Sequence, residues 1–287
     1  MADEQLLIHD VSDTSYWVAF YRAQESERKD ALFQDPFAAK LVGDKGRRIS
    51  ESMPKTSRYT EWSVLSRTVI IDRYIERLIA EGVDAVINLG AGLDARPYRM
   101  NLPANLLWIE ADYPHILTHK SKVLQNEKPR CRLEQVAVDL AKDNDRQRFL
   151  KAAAKDAKKV LILTEGVVPY LTEAQVGTLA DELKKEERFQ FWILEYFHPK
   201  TYRYLQARGL KEKLKNAPFQ FYPEDWYGFF RRHGWKERET RYAAEIAIEF
   251  KRKMPMPKWV ELILPLIPKK AMQESIKMSG HALFERL

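Results

Sequence analysis

The spacing of apolar residues changes near residue 80, and this change separates two kinds of structure. Apolar residues recur at helical spacing over 62–79 and predict a helix that Gly82 ends, after shorter helical stretches and a polar loop at 44–58. From Asp84 onward, short continuous apolar runs alternate with charged segments. That alternation is typical of an α/β protein whose parallel strands are buried on both faces. We therefore expect a helical N-terminal cap, residues 1–80, in front of an α/β core.

Apolar runs and alternating stretches predict the strands of this core. The predicted strands are 84–89, 106–110, 133–138, 160–164, 189–194, 234–241 and 282–287. An aromatic and basic stretch, 196–222, interrupts the core and is expected to form a helical lid. The remainder divides into a core at 81–195 and a C-terminal part at 223–287, and we treat the whole chain as one structural domain.

The first predicted strand ends in a glycine loop, Gly90-Ala91-Gly92, which is typical of a ligand site. Glycine lets the backbone turn sharply and lets a ligand lie against it. The second predicted strand is followed by Asp112, at the distance from the loop where an acid commonly accepts both hydroxyls of a ribose. The glycine loop and Asp112 together fit either a nicotinamide dinucleotide or S-adenosylmethionine.

Four successive strands end in small or acidic residues, and in a parallel sheet these ends meet at one crevice. They are the glycine loop, Asp112, Asp139 and Glu165. Carboxylates that share a crevice repel one another unless a cationic or polar group lies between them. S-adenosylmethionine offers an ammonium, a sulfonium, a ribose diol and an adenine amine. Its carboxylate needs a cation, which Arg67 could supply as a bidentate donor.

The strand-end residues are also compatible with different sites. A nicotinamide-dependent oxidoreductase would need a helix N-terminus for the pyrophosphate, where this chain has Arg96-Pro97. Asp112 and Asp139 could instead cap the helices that follow them, and Glu165 could be a satisfied buried acid. A magnesium site would suit the carboxylates but would not explain the glycine loop.

Composition and motif searches narrow the function classes. The six histidines show no zinc-binding spacing, and neither a nucleophile elbow nor a P-loop motif occurs, so we expect no metal and no hydrolase site. The net charge of +7 comes from basic residues interspersed with acids, which argues against nucleic-acid binding and favours a basic rim for an anionic substrate. Cys131 is the one cysteine, no apolar run approaches a membrane span, and the first residues are acidic. We therefore expect a cytoplasmic protein without membrane contact.

Several motifs together identify a family. The chain resembles the leucine carboxyl methyltransferase superfamily and, within it, the bacterial polyketide-type O-methyltransferases. The matching segments are 22–26, 32–38, 66–68, 86–99, 108–114, 138–140 and 164–171. The segments around Gly90 and Glu165 are the specific ones, and the C-terminal third of the chain matches weakly.

The resemblance implies an S-adenosylmethionine-dependent O-methyltransferase with a class I, Rossmann-like fold of seven strands, the last one antiparallel. It also implies a set of cofactor-binding residues. Arg67 would hold the carboxylate of S-adenosylmethionine, Gly90 and Gly92 its methionine portion, Asp112 the ribose, Asp139 and Leu140 the adenine, and Glu165 the ammonium.

The methyl acceptor is expected to be a small molecule with a carboxylate or an acidic hydroxyl, enclosed by the N-terminal cap and the lid. A carboxylate is already ionised near neutral pH, whereas a phenol needs help to lose its proton. The residues proposed to contact the acceptor are Tyr170, Tyr21, Arg22 and His198. The aromatic and basic residues that suggest the enclosed pocket are Trp17, Phe20, Tyr196, Phe197, Tyr202, Tyr204, Phe219, Phe221, Tyr222, Lys200, Arg203, Arg208 and Lys211.

Two alternatives to a small-molecule enzyme stay open at this point. A carboxyl methyltransferase that acts on a protein or peptide C-terminus would need an open rim rather than an enclosed pocket. A non-catalytic protein could keep the cofactor residues and lack acceptor binding. The sequence does not predict the oligomeric state.

Overall fold

The computed structural model describes residues 8, 11–52, 57–198, 200–201, 216–255 and 274–287, and in these ranges the chain folds around one mixed sheet. The strands of this sheet are β1 Ala85–Leu89, β2 Leu107–Asp112, β3 Arg132–Ala137, β4 Val160–Thr164, β5 Phe189–Phe197, β6 Trp235–Tyr242 and β7 Ser279–Arg286. Their order is β3-β2-β1-β4-β5-β7-β6. Strands β1 to β5 are parallel, and β7 is antiparallel to both of its neighbours. The predicted seven-stranded α/β fold with an antiparallel last strand is confirmed.

The central strands are buried because helices cover both faces of the sheet. Strands β1, β2 and β4 are buried along their whole length, as their apolar runs predict, whereas the edge strand β3 is largely exposed. Two strands are longer than their apolar runs indicate. Strand β5 continues to Phe197, and β7 begins at Ser279, because polar residues also pair at the ends of these strands.

The helices surround this sheet in chain order. They are α1 Thr14–Ser26, α2 Ala38–Ser52, α3 Ser57–Ala80, α4 Arg96–Arg99, α5 Pro114–Val123, α6 Asp143–Ala152, α7 Glu173–Lys185, α8 Trp226–Arg232 and α9 Ala243–Glu249. Short 3-10 turns at Val11–Asp13 and Val168–Tyr170 flank the site described below. Among the described residues, no helix combines the length and the apolar character that crossing a membrane requires.

The polar loop predicted at 44–58 is wrong for the described residues, because α2 covers 44–52 and α3 begins at Ser57. Helix α2 continues through Gly43, where a positive φ of 51° kinks it, and runs to Ser52. The helix persists because Leu41 and Ile49 are both completely buried, on either side of the kink. A kink at glycine therefore replaces the predicted helix end.

The N-terminal cap packs through aromatic side chains of α1. Trp17 and Tyr21 are buried in one cluster with Ile49 of α2 and Val64 of α3. This packing places the start of α1 beside the glycine loop, since a Cβ atom on Gly92 would lie 3.0 Å from Ser15 Cβ.

The predicted lid, 196–222, falls largely on residues 202–215, which lie outside the described residues. Tyr196 and Phe197 belong to β5. Farther along, Phe219 contacts Tyr170 with ring centroids 5.1 Å apart. This contact brings the described end of the segment next to the turn that follows β4.

Candidate active site

A cavity of about 1000 Å³ lies at the carboxyl ends of the parallel strands. Helices α1 and α3 and the turn Val168–Tyr170 contribute further walls. The predicted site residues that line this cavity are Arg22, Arg67, Gly90, Gly92, Asp112, Leu140, Glu165 and Tyr170. The structure therefore brings most of the predicted residues together at one crevice.

At the glycine loop, Gly90 and Gly92 line the cavity with backbone atoms rather than side chains. Gly90 has a φ of 69° and Gly92 a φ of 51°, both in the left-handed region that favours glycine. A Cβ atom on Gly90 would lie 2.5 Å from Val167 Cγ2, closer than side chains can pack. The loop is fixed to the sheet because the Gly90 N–H donates to the Ala111 carbonyl at 2.8 Å.

We predict that Gly90→Ala destabilises the fold more than a glycine substitution with backbone strain alone. Gly82 is the matched control, because it also has a positive φ and a Cβ atom there would meet nothing within 4 Å. The overlap with Val167 should add about 1–3 kcal/mol to the loss of unfolding free energy in Gly90→Ala. Urea unfolding of both variants measures this difference.

A double variant tests the cause of that difference. In Gly90→Ala/Val167→Ala the overlapping methyl groups of Val167 are absent, so part of the extra loss should be recovered. Equal losses in Gly90→Ala and Gly82→Ala would show that the close approach to Val167 does not matter.

Asp112 holds the loop from the end of β2 and also faces the cavity. Its Oδ2 accepts the Gly92 N–H at 2.6 Å, and its Oδ1 accepts the Tyr113 N–H at 2.6 Å. Burial raises the pKa of Asp112, although both hydrogen bonds oppose this. Each oxygen keeps a lone pair that a ligand hydroxyl can use.

Arg67 and Glu165 form a charge pair across the cavity wall. Arg67 Nε lies 2.8 Å from Glu165 Oε1, but the N–H is not directed at that oxygen and forms no hydrogen bond within the described part of the chain. Glu165 Oε2 accepts from Arg96 Nη1 at 2.6 Å. Burial alone would raise the pKa of Glu165, but the two arginines outweigh it and hold the pKa well below its usual range. Glu165 is therefore ionised near neutral pH.

Arg96 links this pair to the glycine loop, and sequence reasoning missed it. Its side chain is 2% exposed and donates to Asp72 Oδ1 at 2.7 Å and to Asp94 Oδ2 at 2.9 Å, besides Glu165. Asn88 of β1 also donates to Asp94 Oδ2, at 2.9 Å. The one signal was an arginine four residues after Gly92, which does not reveal that the side chain turns inward.

A family model for leucine carboxyl methyltransferase matches residues 15–184, more than half of the chain. The chain belongs to the leucine carboxyl methyltransferase family. Relatives of this family member include two proteins assigned to the S-adenosyl-L-methionine-dependent methyltransferases. The one from Frankia alni is 29% identical, with 85% of this chain and 90% of the relative covered. The one from Streptomyces coelicolor is 29% identical, with coverage of 84% and 88%.

Solved structures agree with the fold of this family member. A crystal structure of a Thermobifida fusca protein assigned as a methyltransferase superposes with a TM-score of 0.56 at 12% identity, covering 98% of this chain and 96% of that one. A DUF574 family protein from Streptomyces avermitilis gives a TM-score of 0.53 at 13% identity, with coverage of 94% and 97%. At such identities the likeness establishes the fold alone. The family predicted from sequence is confirmed, and the narrower polyketide-type branch stays a prediction.

Three predicted site residues of this leucine carboxyl methyltransferase family member are not among the residues that line the cavity. Asp139 accepts the Ala141 N–H at 3.0 Å just beyond β3, although its neighbour Leu140 does line the cavity. Tyr21 is buried inside the N-terminal cap. His198 follows β5 and accepts the N–H of Lys200 through Nδ1 at 3.2 Å.

The two remaining acceptor candidates line the cavity and differ in how firmly they are held. Arg22 donates through Nε to Asp35 Oδ2 at 2.9 Å and through Nη2 to the Leu93 carbonyl at 2.6 Å, so two of its five N–H donors are engaged and fix the orientation of the side chain. Tyr170 is packed against Phe219, and burial raises the pKa of its hydroxyl. Tyr170 therefore stays protonated near neutral pH, and its hydroxyl forms a hydrogen bond with the side chain of Thr14, which also lines the cavity.

Proposed function

We propose that this protein transfers a methyl group from S-adenosyl-L-methionine to a carboxylate or an acidic hydroxyl of a small molecule. Family membership carries the coarser part of this statement: the protein is a methyltransferase that uses S-adenosyl-L-methionine as its cofactor. The nature of the acceptor and the role of each site residue are the proposal.

The residues around the cavity fit this cofactor. Gly90 and Gly92 line the cavity without side chains, and the N–H of Arg67 Nε is not used by any hydrogen bond in the described residues. Arg67 and Glu165 together present one positive and one negative group, which match the carboxylate and ammonium of an amino acid. Asp112 would hold the ribose hydroxyls.

The other contacts are assigned by position along the strand ends. Gly92 would lie against the methionine portion with Gly90, and Leu140 would flank the adenine with Asp139 beside it. When bound, S-adenosylmethionine supplies a methyl group on a positively charged sulfur. The chain's own residues orient the two reactants and exclude water.

One observation carries the proposal for the acceptor: the charged strand ends share a single cavity with an aromatic wall. Small-molecule sites usually measure roughly 300–1000 Å³, so a cavity of about 1000 Å³ leaves space for an acceptor beside the cofactor. Tyr170, Phe197 and Phe219 line its aromatic part, and Lys200 adds a cation there. Aromatic walls with a nearby cation suit a flat anionic or acidic ligand.

We predict that the protein binds S-adenosylhomocysteine and not NADH. The strand-end acids match the ribose and ammonium of the former. The pyrophosphate of NADH needs a helix N-terminus, and at the start of α4 the Arg96 N–H already donates to Asp94 Oδ1 at 3.0 Å. Isothermal titration of each ligand into the protein measures both affinities. NADH binding without S-adenosylhomocysteine binding would contradict the assignment of the site.

A transfer assay tests the acceptor. Labelled S-adenosylmethionine is incubated with separate sets of phenols, aromatic acids, fatty acids and short peptides. We expect labelled methyl ester or methyl ether products from the small molecules. Transfer only to peptide C-termini would support the open-rim alternative, and cofactor binding without any transfer would support a non-catalytic protein.

A further inference from the structure

Glu195 is a carboxylate at the cavity wall that the cofactor-binding set does not use. It lies on β5 with a side chain 3% exposed, and it lines the cavity. Its Oε1 accepts the N–H of Gly166, which follows β4, and lies 3.9 Å from Arg67 Nη1. Its Oε2 is buried and has no hydrogen-bond partner in the ranges that the structure describes. A buried polar atom without a partner needs a physical explanation.

The groups around Glu195 come from four elements. Arg67 of α3 is positively charged, and Glu165, which follows β4, is negatively charged. The negative charge of Glu195 contributes to the raised pKa of the Tyr170 hydroxyl. His281 of β7 pairs directly with Glu195 across the sheet. Burial lowers the pKa of His281 to about 3, and Arg67 acts in the same direction, so the imidazole is neutral.

The pKa values of the neighbouring residues Glu165 and Glu195 are shifted in opposite directions. At Glu165 the arginines outweigh burial, and the pKa lies well below its usual range. At Glu195 burial outweighs the attraction of Arg67 and the hydrogen bond from Gly166, which raises the pKa to about 7. Paired carboxylates whose pKa values are driven apart commonly divide a fixed charge and a proton-exchanging role between them. Glu195 is the one suited to exchange a proton near neutral pH.

We infer that Glu195 is the catalytic base, and that the acceptor oxygen belongs to a hydroxyl group such as that of a phenol. This inference rests on the proposed methyl transfer and narrows its acceptor class. A carboxylic acid is already ionised near neutral pH and would bring another negative charge toward Glu165 and Glu195. A phenol, with a pKa near 10, is neutral there and needs a proton acceptor.

The proposed step conserves atoms and charge. The acceptor O–H bond breaks, and its proton goes to Oε2 of Glu195, the oxygen without a partner in the described ranges. The acceptor oxygen bonds to the methyl carbon while the bond from that carbon to sulfur breaks, and the electron pair stays on sulfur. Glu195 returns the proton to water after the product leaves.

The test compares Glu195→Gln with Glu195→Asp. Glutamine can still accept the Gly166 N–H but cannot take a proton, whereas aspartate keeps the carboxylate. Methyl transfer is measured with catechol, guaiacol and 4-methylphenol, which are neutral near pH 7, and separately with benzoate, cinnamate and decanoate. Titration with S-adenosylhomocysteine checks each variant for an intact site. Infrared spectra of the wild type and Glu195→Gln report the protonated carboxyl band directly.

We expect transfer to the phenols, with kcat lower by about 100-fold in Glu195→Gln and by less in Glu195→Asp. Since the base must be ionised, the wild-type rate should rise with pH through about 7, and Glu195→Gln should lack this rise. The wild type should lose a protonated-carboxyl band over the same pH range, and the glutamine variant should not show it.

Three results would each overturn the inference. They are transfer confined to the carboxylic acids, a phenol rate in Glu195→Gln within about threefold of the wild type, and the absence of a titrating carboxyl band. Wild-type protein that does not bind S-adenosylhomocysteine would instead contradict the proposed function. The two failures are therefore distinguishable.

Discussion

Replacing Arg96 with methionine is expected to lower the free energy of unfolding by about 3–5 kcal/mol, because it leaves buried carboxylates without their shared cation. Arg96 contacts Asp72, Asp94 and Glu165 at 2.7, 2.9 and 2.6 Å and is 2% exposed. Urea unfolding measures the loss. Arg73→Met is the control, since Arg73 pairs with Glu249 at the surface and should cost less than about 1 kcal/mol.

The loss of unfolding free energy in Arg96→Met should become smaller as the pH falls. The pKa values of Glu165 and Asp94 are lowered in the folded protein, where arginines overcome the effect of burial. The stabilisation that the ionised Glu165 and Asp94 give the folded protein is complete above about pH 4.5, near the pKa of unfolded carboxyls, and disappears as the pH falls further. Without Arg96, burial raises the pKa values of these carboxyls in the folded variant, so they take up protons at higher pH than in the wild type, and the difference between the two proteins should shrink as the pH falls. A difference that grows on acidification would contradict this role of Arg96.

Replacing Arg67 with alanine is expected to weaken S-adenosylhomocysteine binding by about 2–4 kcal/mol, because the ligand carboxylate would lose a partly buried charged partner. Arg67 is 13% exposed, and its Nε–H is not used by a hydrogen bond in the described part of the chain. Calorimetric titration measures the change, which corresponds to roughly 30- to 1000-fold in affinity.

Two further variants define the role of Arg67. Arg67→Lys should restore only part of the affinity, because an ammonium cannot make the planar, bidentate contact of a guanidinium. Arg73→Ala, on the exposed side of the same helix, should leave the affinity unchanged. Unchanged binding in Arg67→Ala would remove Arg67 from the cofactor site.

The positions of the strands along the chain and the location of the crevice follow from local patterns in the sequence. Continuous apolar runs such as 84–89 and 160–164 specify strands buried on both faces, and such strands need parallel neighbours with helical connections. Once the strands are parallel, Asp112 and Glu165 must emerge at one edge. These two residues could therefore be predicted to lie near each other without a structure.

Side-chain direction and charge pairing could not be predicted in the same way. The inward turn of Arg96 depends on Asp72, which is distant in sequence and lies on α3. Glu195 lies in an apolar strand, and its raised pKa comes from burial between β4 and β7 that only the folded sheet creates. Helix α2 passes through Gly43 because tertiary contacts outweigh a local stop signal.

A crystal structure of the protein with S-adenosylhomocysteine tests the assignment of the site most directly. We predict that the ligand carboxylate lies within hydrogen-bond distance of Arg67, that the ribose hydroxyls contact Asp112, and that the ammonium contacts Glu165. Glu195 should face the remaining space beside the sulfur. A ligand bound elsewhere, or bound here with its ribose away from Asp112 and its carboxylate away from Arg67, would contradict the assignment.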